Sequence, residues 1–320
     1  MSISNFPGGF ANGVTIKGVP IAVPNPGAVF WVNNSGVLAE GGIAGSDGNK
    51  GTYRCPFATL EYAIGRCTTN RGDVIYLMPG HSEACASAGA IDFDVAGITV
   101  VGLGTGSKQA QIRWTLNTAT IHIDEDNITF INVRFTAAYA DVAVGFNVDN
   151  GDLRFIGCRF DEEEAAENWV IVANIADGLD NIEMVDCTYH GADASNDTVL
   201  AFAGTHENTV VKGCRFVHSV AQTAAAPFIT SATQQVGITL QDNFFHTETA
   251  AVSGGIVVLT GTTNTGFAIR NMLGSLDADA AAADVLAAFD VTGLMSSGNM
   301  FSGAADGHGI ETFTTVDDLT

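Results

Sequence analysis

The sequence predicts an all-β chain wound as a parallel β-helix, a solenoid with an N-terminal extended arm and a short capping helix. Three observations predict it. Nonapeptides of one pattern recur as NITFINVRF (127–135), DLRFIGCRF (152–160) and NIEMVDCTY (181–189). With the last aromatic of each as an anchor, the series continues as Phe135, Phe160, Tyr189, Phe216, Phe245, Leu273 and Phe301, at steps of 25, 29, 27, 29, 28 and 28. Five residues before each anchor stand Phe130, Phe155, Met184, Val211, Leu240, Ala268 and Ser296, so apolar residues alternate as in a strand. A unit this short cannot bury its own apolar face and must stack on its neighbours.

Residues 1–50 read as the arm. They are dense in Gly, Pro and Asn, yet carry Phe6, Phe10, Ile16, Ile21, Phe30 and Trp31. True linkers lack such anchors, so the segment is expected to lie against a surface, that of its own solenoid or of a partner. These six residues are the candidate partner-binding set.

The solenoid is expected over 51–305. It opens with PFATLEYAI (56–64), where Leu60, Ala63, Ile64 and Cys67 fall on one face of a short helix able to cover the open end. GDVIYLMPGHSE (72–83) and GITVVGLGTG (97–106) follow as first coils. Each later coil adds a second apolar run: TIHI at 120, VGFNV at 144, VIVANI at 170, TVLAF at 198, PFIT at 227, GIVVL at 255 and VLAAF at 285. Two or three strands per coil without a helical period favour the β-helix over leucine-rich or ankyrin arrays. Phe155, Phe160, Met184, Phe216 and Leu240 are the predicted core. Two before the anchor, Cys158, Cys187 and Cys214 form a ladder of small side chains, continued by Asn243, Asn271 and Asn299 as an amide ladder. Residues 306–320 read as a C-terminal tail.

These opening coils resemble the right-handed parallel β-helices of the pectin-lyase-like superfamily, over roughly residues 50–305. The resemblance implies the fold and leaves function open, since lyases, hydrolases, viral adhesins and structural parts all use it. The run GFANGVTIKGVPI followed by VFWVNNS is similar to the start of tailed-bacteriophage virion proteins of this size.

Charge excludes one class of partner. With 35 acidic and 13 basic residues the formal net charge is −22, and clustered Lys and Arg for nucleic acid or acidic polysaccharide are missing. The sequence has neither an apolar run long enough to span a membrane nor the start of a signal peptide, so no membrane partner is expected. Six cysteines without a CxxC pair point to free thiols and no zinc site.

No catalytic constellation stands out. Asp124, Glu125 and Asp126, or Asp161, Glu162, Glu163 and Glu164, could supply a pair of carboxyls for glycoside hydrolysis, but runs of like charge read first as solvated loops. Arg134, Arg159 and Arg215 precede their anchors and stack outward as counter-charges to the acidic exterior. Trp114 and Trp169 read as packing residues rather than sugar platforms. His190 and His246 fall two rungs apart, about 10 Å, too far for one metal ion. No cofactor, metal or catalytic residue is expected, and the chain reads as not an enzyme. The virion resemblance implies a structural, capsid-decorating protein attached through its arm, a homotrimer bound to the major capsid protein or another virion protein, assembled in the host cytoplasm. A tail-attached receptor-binding spike or polysaccharide depolymerase is the alternative; a secreted lyase would need an export signal.

Overall fold

Each nonapeptide is a strand, a bend and a second strand. In NITFINVRF, Thr129–Ile131 lies on one sheet, Arg134–Ala137 on the next, and Asn132 turns the chain between them in the left-handed region. The same position holds Gly157, Asp186, Gly213, Asp242, Arg270 and Gly298, all with φ between 52° and 69°. Gly, Asn and Asp tolerate this conformation best, which is why they recur there. A second left-handed residue begins most nonapeptides: Asn127, Asp152, Asn181, Asn208 and Gly237.

The computed structural model describes residues 15–16, 19–20, 27–36, 39, 41–164, 166–194, 197–220, 227–248, 255–276, 282–303, 308–310 and 314–315. Successive coils pair in parallel to build sheets of 11, 10 and 8 strands. The first sheet carries the opening strand of each nonapeptide, the second carries its anchor, and the third carries the following apolar run, such as Phe146–Val148, Ile171–Ile175 and Thr198–Phe202. Parallel crossovers take the right-handed sense. The chain is a right-handed parallel β-helix.

Register follows the repeat. Phe130 pairs with Phe155 and Phe155 with Met184, while Phe135, Phe160, Tyr189 and Phe216 pair in sequence on the second sheet. Phe155, Phe160, Met184, Phe216 and Leu240 all face the interior and are at most 1% exposed. Aromatic rings stack from rung to rung, as in Phe130 on Phe155 at 5.4 Å and Phe216 on Phe245 at 5.0 Å. Cys158, Cys187 and Cys214 are buried free thiols. Each lies with its Sγ against a main-chain carbonyl.

Both ends depart from the boundaries read in the sequence. The arm does not run to residue 50, because Val29–Val32 is the first rung of the first sheet, paired in parallel with Asp73–Leu77. Asp73 holds it there by accepting from the Ala28 N–H at 2.6 Å. The capping helix is Leu60–Ile64, with Thr59 as N-cap and Leu60, Ala63 and Ile64 buried; Cys67 is only half-buried. At the other end the tail joins the sheets. His308–Ile310 and Thr314–Thr315 return antiparallel along the last rungs and cover two sheet edges. The run at 285 is not a strand as expected: Ala282–Ala287 is a helix and only Phe289–Asp290 pairs with the third sheet. Its alanines and leucine favour helix.

Candidate functional site

At the N-terminal pole, Phe6, Phe10 and Ile21 fall outside the described residues. Ile16 lies in the strand Thr15–Ile16, which pairs antiparallel with Val19–Pro20 to form a two-stranded sheet of its own. Phe30 and Trp31 are separated from this hairpin and held by the solenoid itself. Phe30 packs on Phe57 at 5.8 Å, and Trp31 stacks on Tyr76 at 4.8 Å with its edge toward Tyr53. Of the six arm residues, these two serve the first rung.

The acidic run 161–164 is divided by the strand period. Asp161, although only 2% exposed, faces the outer side of the second sheet and accepts from Arg134 Nε and Arg159 Nε, each at 2.7 Å. Two guanidinium groups one rung apart would repel without it. Glu163 is the exposed partner of Arg113. Arg215, in the same column, lies 5.2 Å over the Phe244 ring.

Glu162 points the other way, into a closed corner. Its carboxylate accepts from the backbone N–H groups of Ala192 at 2.5 Å, Asp193 at 2.9 Å and Trp169 at 3.3 Å. The Tyr189 hydroxyl lies 3.5 Å from it. Asp197 rests against Glu162, fully buried, with Asn168 Nδ2 3.5 Å from one of its oxygens. Burial, and then the Glu162 charge beside it, push the Asp197 carboxyl far above the usual carboxylate range. Burial also raises Glu162, opposed by the N–H donors. Asp197 therefore holds its proton at neutral pH, beside a Glu162 carboxyl that three backbone N–H groups contact. Burial lowers the neighbouring His218 to about 3, so its ring is neutral. Gly191 makes room for this packing; a Cβ there would meet His218 at 2.8 Å and the Tyr189 hydroxyl at 2.9 Å.

Sequence reasoning missed this corner, treating Glu162 as part of a solvated run. The signal was the period of two. Glu162 stands two residues after its anchor, in register with Ala137, and Gly191 pairs with His218 at the same place on the next two coils. An acid at that inward position had to find buried partners.

Trp114 and Trp169 are fully buried and pack edge to face at 4.7 Å. Trp114 Nε1 donates to the Gly145 carbonyl. His190, Val217 and His246 succeed one another on adjacent rungs, so the two histidines are separated as the spacing predicts. Asp124, Glu125 and Asp126 follow the third-sheet strand Ile121–Ile123. Among the described residues no group of three or more His, Cys, Asp and Glu side chains could hold a metal ion. Among them, too, no helix is long and apolar enough to cross a membrane.

No protein-family model matches the sequence. No curated protein matches it either. Among solved structures the chain is similar to a rhamnogalacturonan lyase, with 11% identity, a TM-score of 0.49, and coverage of 78% of this chain and 69% of the other. That protein is an enzyme by name, which stands against the expectation that this chain is not an enzyme; at this identity the likeness bears on the fold alone. Glu162 and Asp197 form a buried carboxyl pair where the acidic run at 161–164 read as a solvated loop.

Proposed function

We propose that this chain is a structural component of a tailed-phage virion, a capsid-decorating protein attached through its N-terminal segment and assembled in the host cytoplasm as side-by-side copies, three in number. The observation that carries this reading is the hairpin Thr15–Ile16 and Val19–Pro20, which belongs to none of the three solenoid sheets. A two-stranded hairpin alone is marginal in water and needs a surface to rest on. Phe6, Phe10 and Ile21 flank it in sequence and supply apolar area for such a contact. The formal charge of −22 suits a body displayed on the outside of a particle, where it keeps copies soluble.

A reconstruction of the particle whose genome encodes this chain tests the reading directly. The solenoid is expected on the capsid surface, with residues 1–26 making the contact. Finding it on the tail, or absent from the particle, overturns the proposal.

A further inference from the structure

The outer faces of the first two sheets change character along the solenoid. On the first sheet one outward column reads Thr129, Arg154, Glu183, Val210 and Thr239, then Phe267 and Met295. On the second the column reads Arg134, Arg159, Thr188 and Arg215, then Phe244, Met272 and Met300. Phe267 and Met295 are 46% and 56% exposed, and Met272 and Met300 are 42% exposed each. A groove of about 520 Å³ runs along the second stripe between Phe244, Met272 and Met300. Both stripes lie at the height of the last coils and meet at the corner made by Asp242, Arg270 and Gly298.

Apolar surface concentrated in this way on an otherwise charged body marks a contact face, and Phe and Met are residues that contact faces favour. We propose that this corner is where copies of the chain meet, the first-sheet stripe of one copy packing against the second-sheet stripe of the next around a cyclic axis. The proposal names the surface for the side-by-side copies of the reading above and rests on that part of it.

Two features select a second copy as the occupant. At a formal charge of −22, copies repel wherever acidic surface faces acidic surface. Among the described residues the bordering carboxylates are Asp242, neutralised by two hydrogen bonds from Arg270 at 2.7 and 2.9 Å, and Glu248 beside His246. The Asp242–Arg270 pair thus sets no net charge against a second copy. In addition, the two stripes stand at one height on faces that diverge from a shared edge. A twofold contact of a stripe with itself would cover one and leave the other in water, whereas a head-to-tail ring covers both.

The test uses the full-length chain and two double variants at exposed positions. One carries Phe267→Gln and Met295→Gln, the other Met272→Gln and Met300→Gln. Sedimentation velocity of the wild type should give a closed multimer, and each variant alone should fall to the mass of one chain while keeping its circular dichroism and thermal unfolding. Mixed in equal amounts, the two variants have one intact interface between them and should form a 1:1 dimer and nothing larger. A wild type that is monomeric, variants that keep the multimer mass, or a mixture that stays monomeric would each overturn the proposal. Because no particle is present, failure here is distinct from failure of attachment, which is read on the virion.

Discussion

Asn271 receives Asn243 through a single oxygen: its Oδ1 accepts from the Asn243 backbone N–H at 3.1 Å and from Asn243 Nδ2 at 3.0 Å. One rung on, Asn299 Oδ1 does the same for Asn271, at 2.8 and 3.0 Å. Each Nδ2 also reaches back to a carbonyl of the coil before, Val211 for Asn243 and Leu240 for Asn271. The amide ladder thus satisfies main-chain groups that the bend would otherwise leave buried and unpaired.

Replacing Asn271 by Ala should therefore be costly although it removes no apolar packing. Two donors of Asn243 and the Leu240 carbonyl lose partners, at about 1–3 kcal/mol for each group left buried and unsatisfied. Urea unfolding should move to lower midpoint with an unchanged slope. A variant that unfolds with the wild type would mean that the ladder is not buried.

The corner at Asp197 makes a pH prediction. Its folded pKa, pushed up to about 9, exceeds the unfolded value of about 4, so its contribution to stability is fully present below pH 4 and is lost as pH rises toward 9. His218 acts in the opposite sense. Its folded value, about 3, lies below the unfolded value of about 6.5, so it costs stability as pH falls from 6.5. The two oppose each other between pH 4 and 6.5, and of the two only Asp197 acts from 6.5 to 9. The melting temperature should fall across that upper interval, and Asp197→Asn should flatten the fall. An identical slope in wild type and variant would show that Asp197 titrates normally.

The bend residue three before each anchor gives a third test. Gly157 sits at φ 59°, and Gly157→Val puts a branched side chain into the left-handed region, at roughly 1–3 kcal/mol. Arg270 occupies the same place in a later coil, at φ 53°. Arg270→Gly relieves about 1–2 kcal/mol of that strain and gives up only an exposed ion pair with Asp242. Thermal unfolding should thus drop for the first variant and stay level or rise slightly for the second. If Gly157→Val melts with the wild type, the bend has a different conformation.

The coil itself was legible because its signal is repeated. Phe135, Phe160, Tyr189, Phe216 and Phe245 hold one register, and any misreading at one rung is corrected at the next. The ends were less so, since Phe30 and Trp31 belong to a rung that has no nonapeptide to announce it. The carboxyl corner was hidden for another reason. Glu162 and Asp197 lie 35 positions apart in a chain with many acids, and only the inward phase of the strand distinguishes Glu162 from its neighbours Asp161 and Glu163. The apolar corner places Met272, Met295 and Met300 in outward phase, but the repeat fades after residue 245 and no strong register marks them.

The first rung separates two truncations that a boundary at residue 50 would treat alike. A chain beginning at Gly27 keeps Val29–Val32, with Val32 fully buried and Phe30 packed on Phe57. It also keeps the bond from the Ala28 N–H to Asp73, whose carboxyl burial would raise but which Arg71 and the N–H groups of Thr68 and Ala28 hold below its usual value. Its melting temperature should match that of the full chain. A chain beginning at Gly51 loses Phe30, Trp31 and Val32, each contributing up to about 1.5–3 kcal/mol when fully buried, and bares the strand Asp73–Leu77 as an edge. That chain should melt markedly lower and aggregate on heating. If both shortened chains melt together with the full one, the strand Val29–Val32 is not a rung of the solenoid, and Phe30 and Trp31 return to the arm.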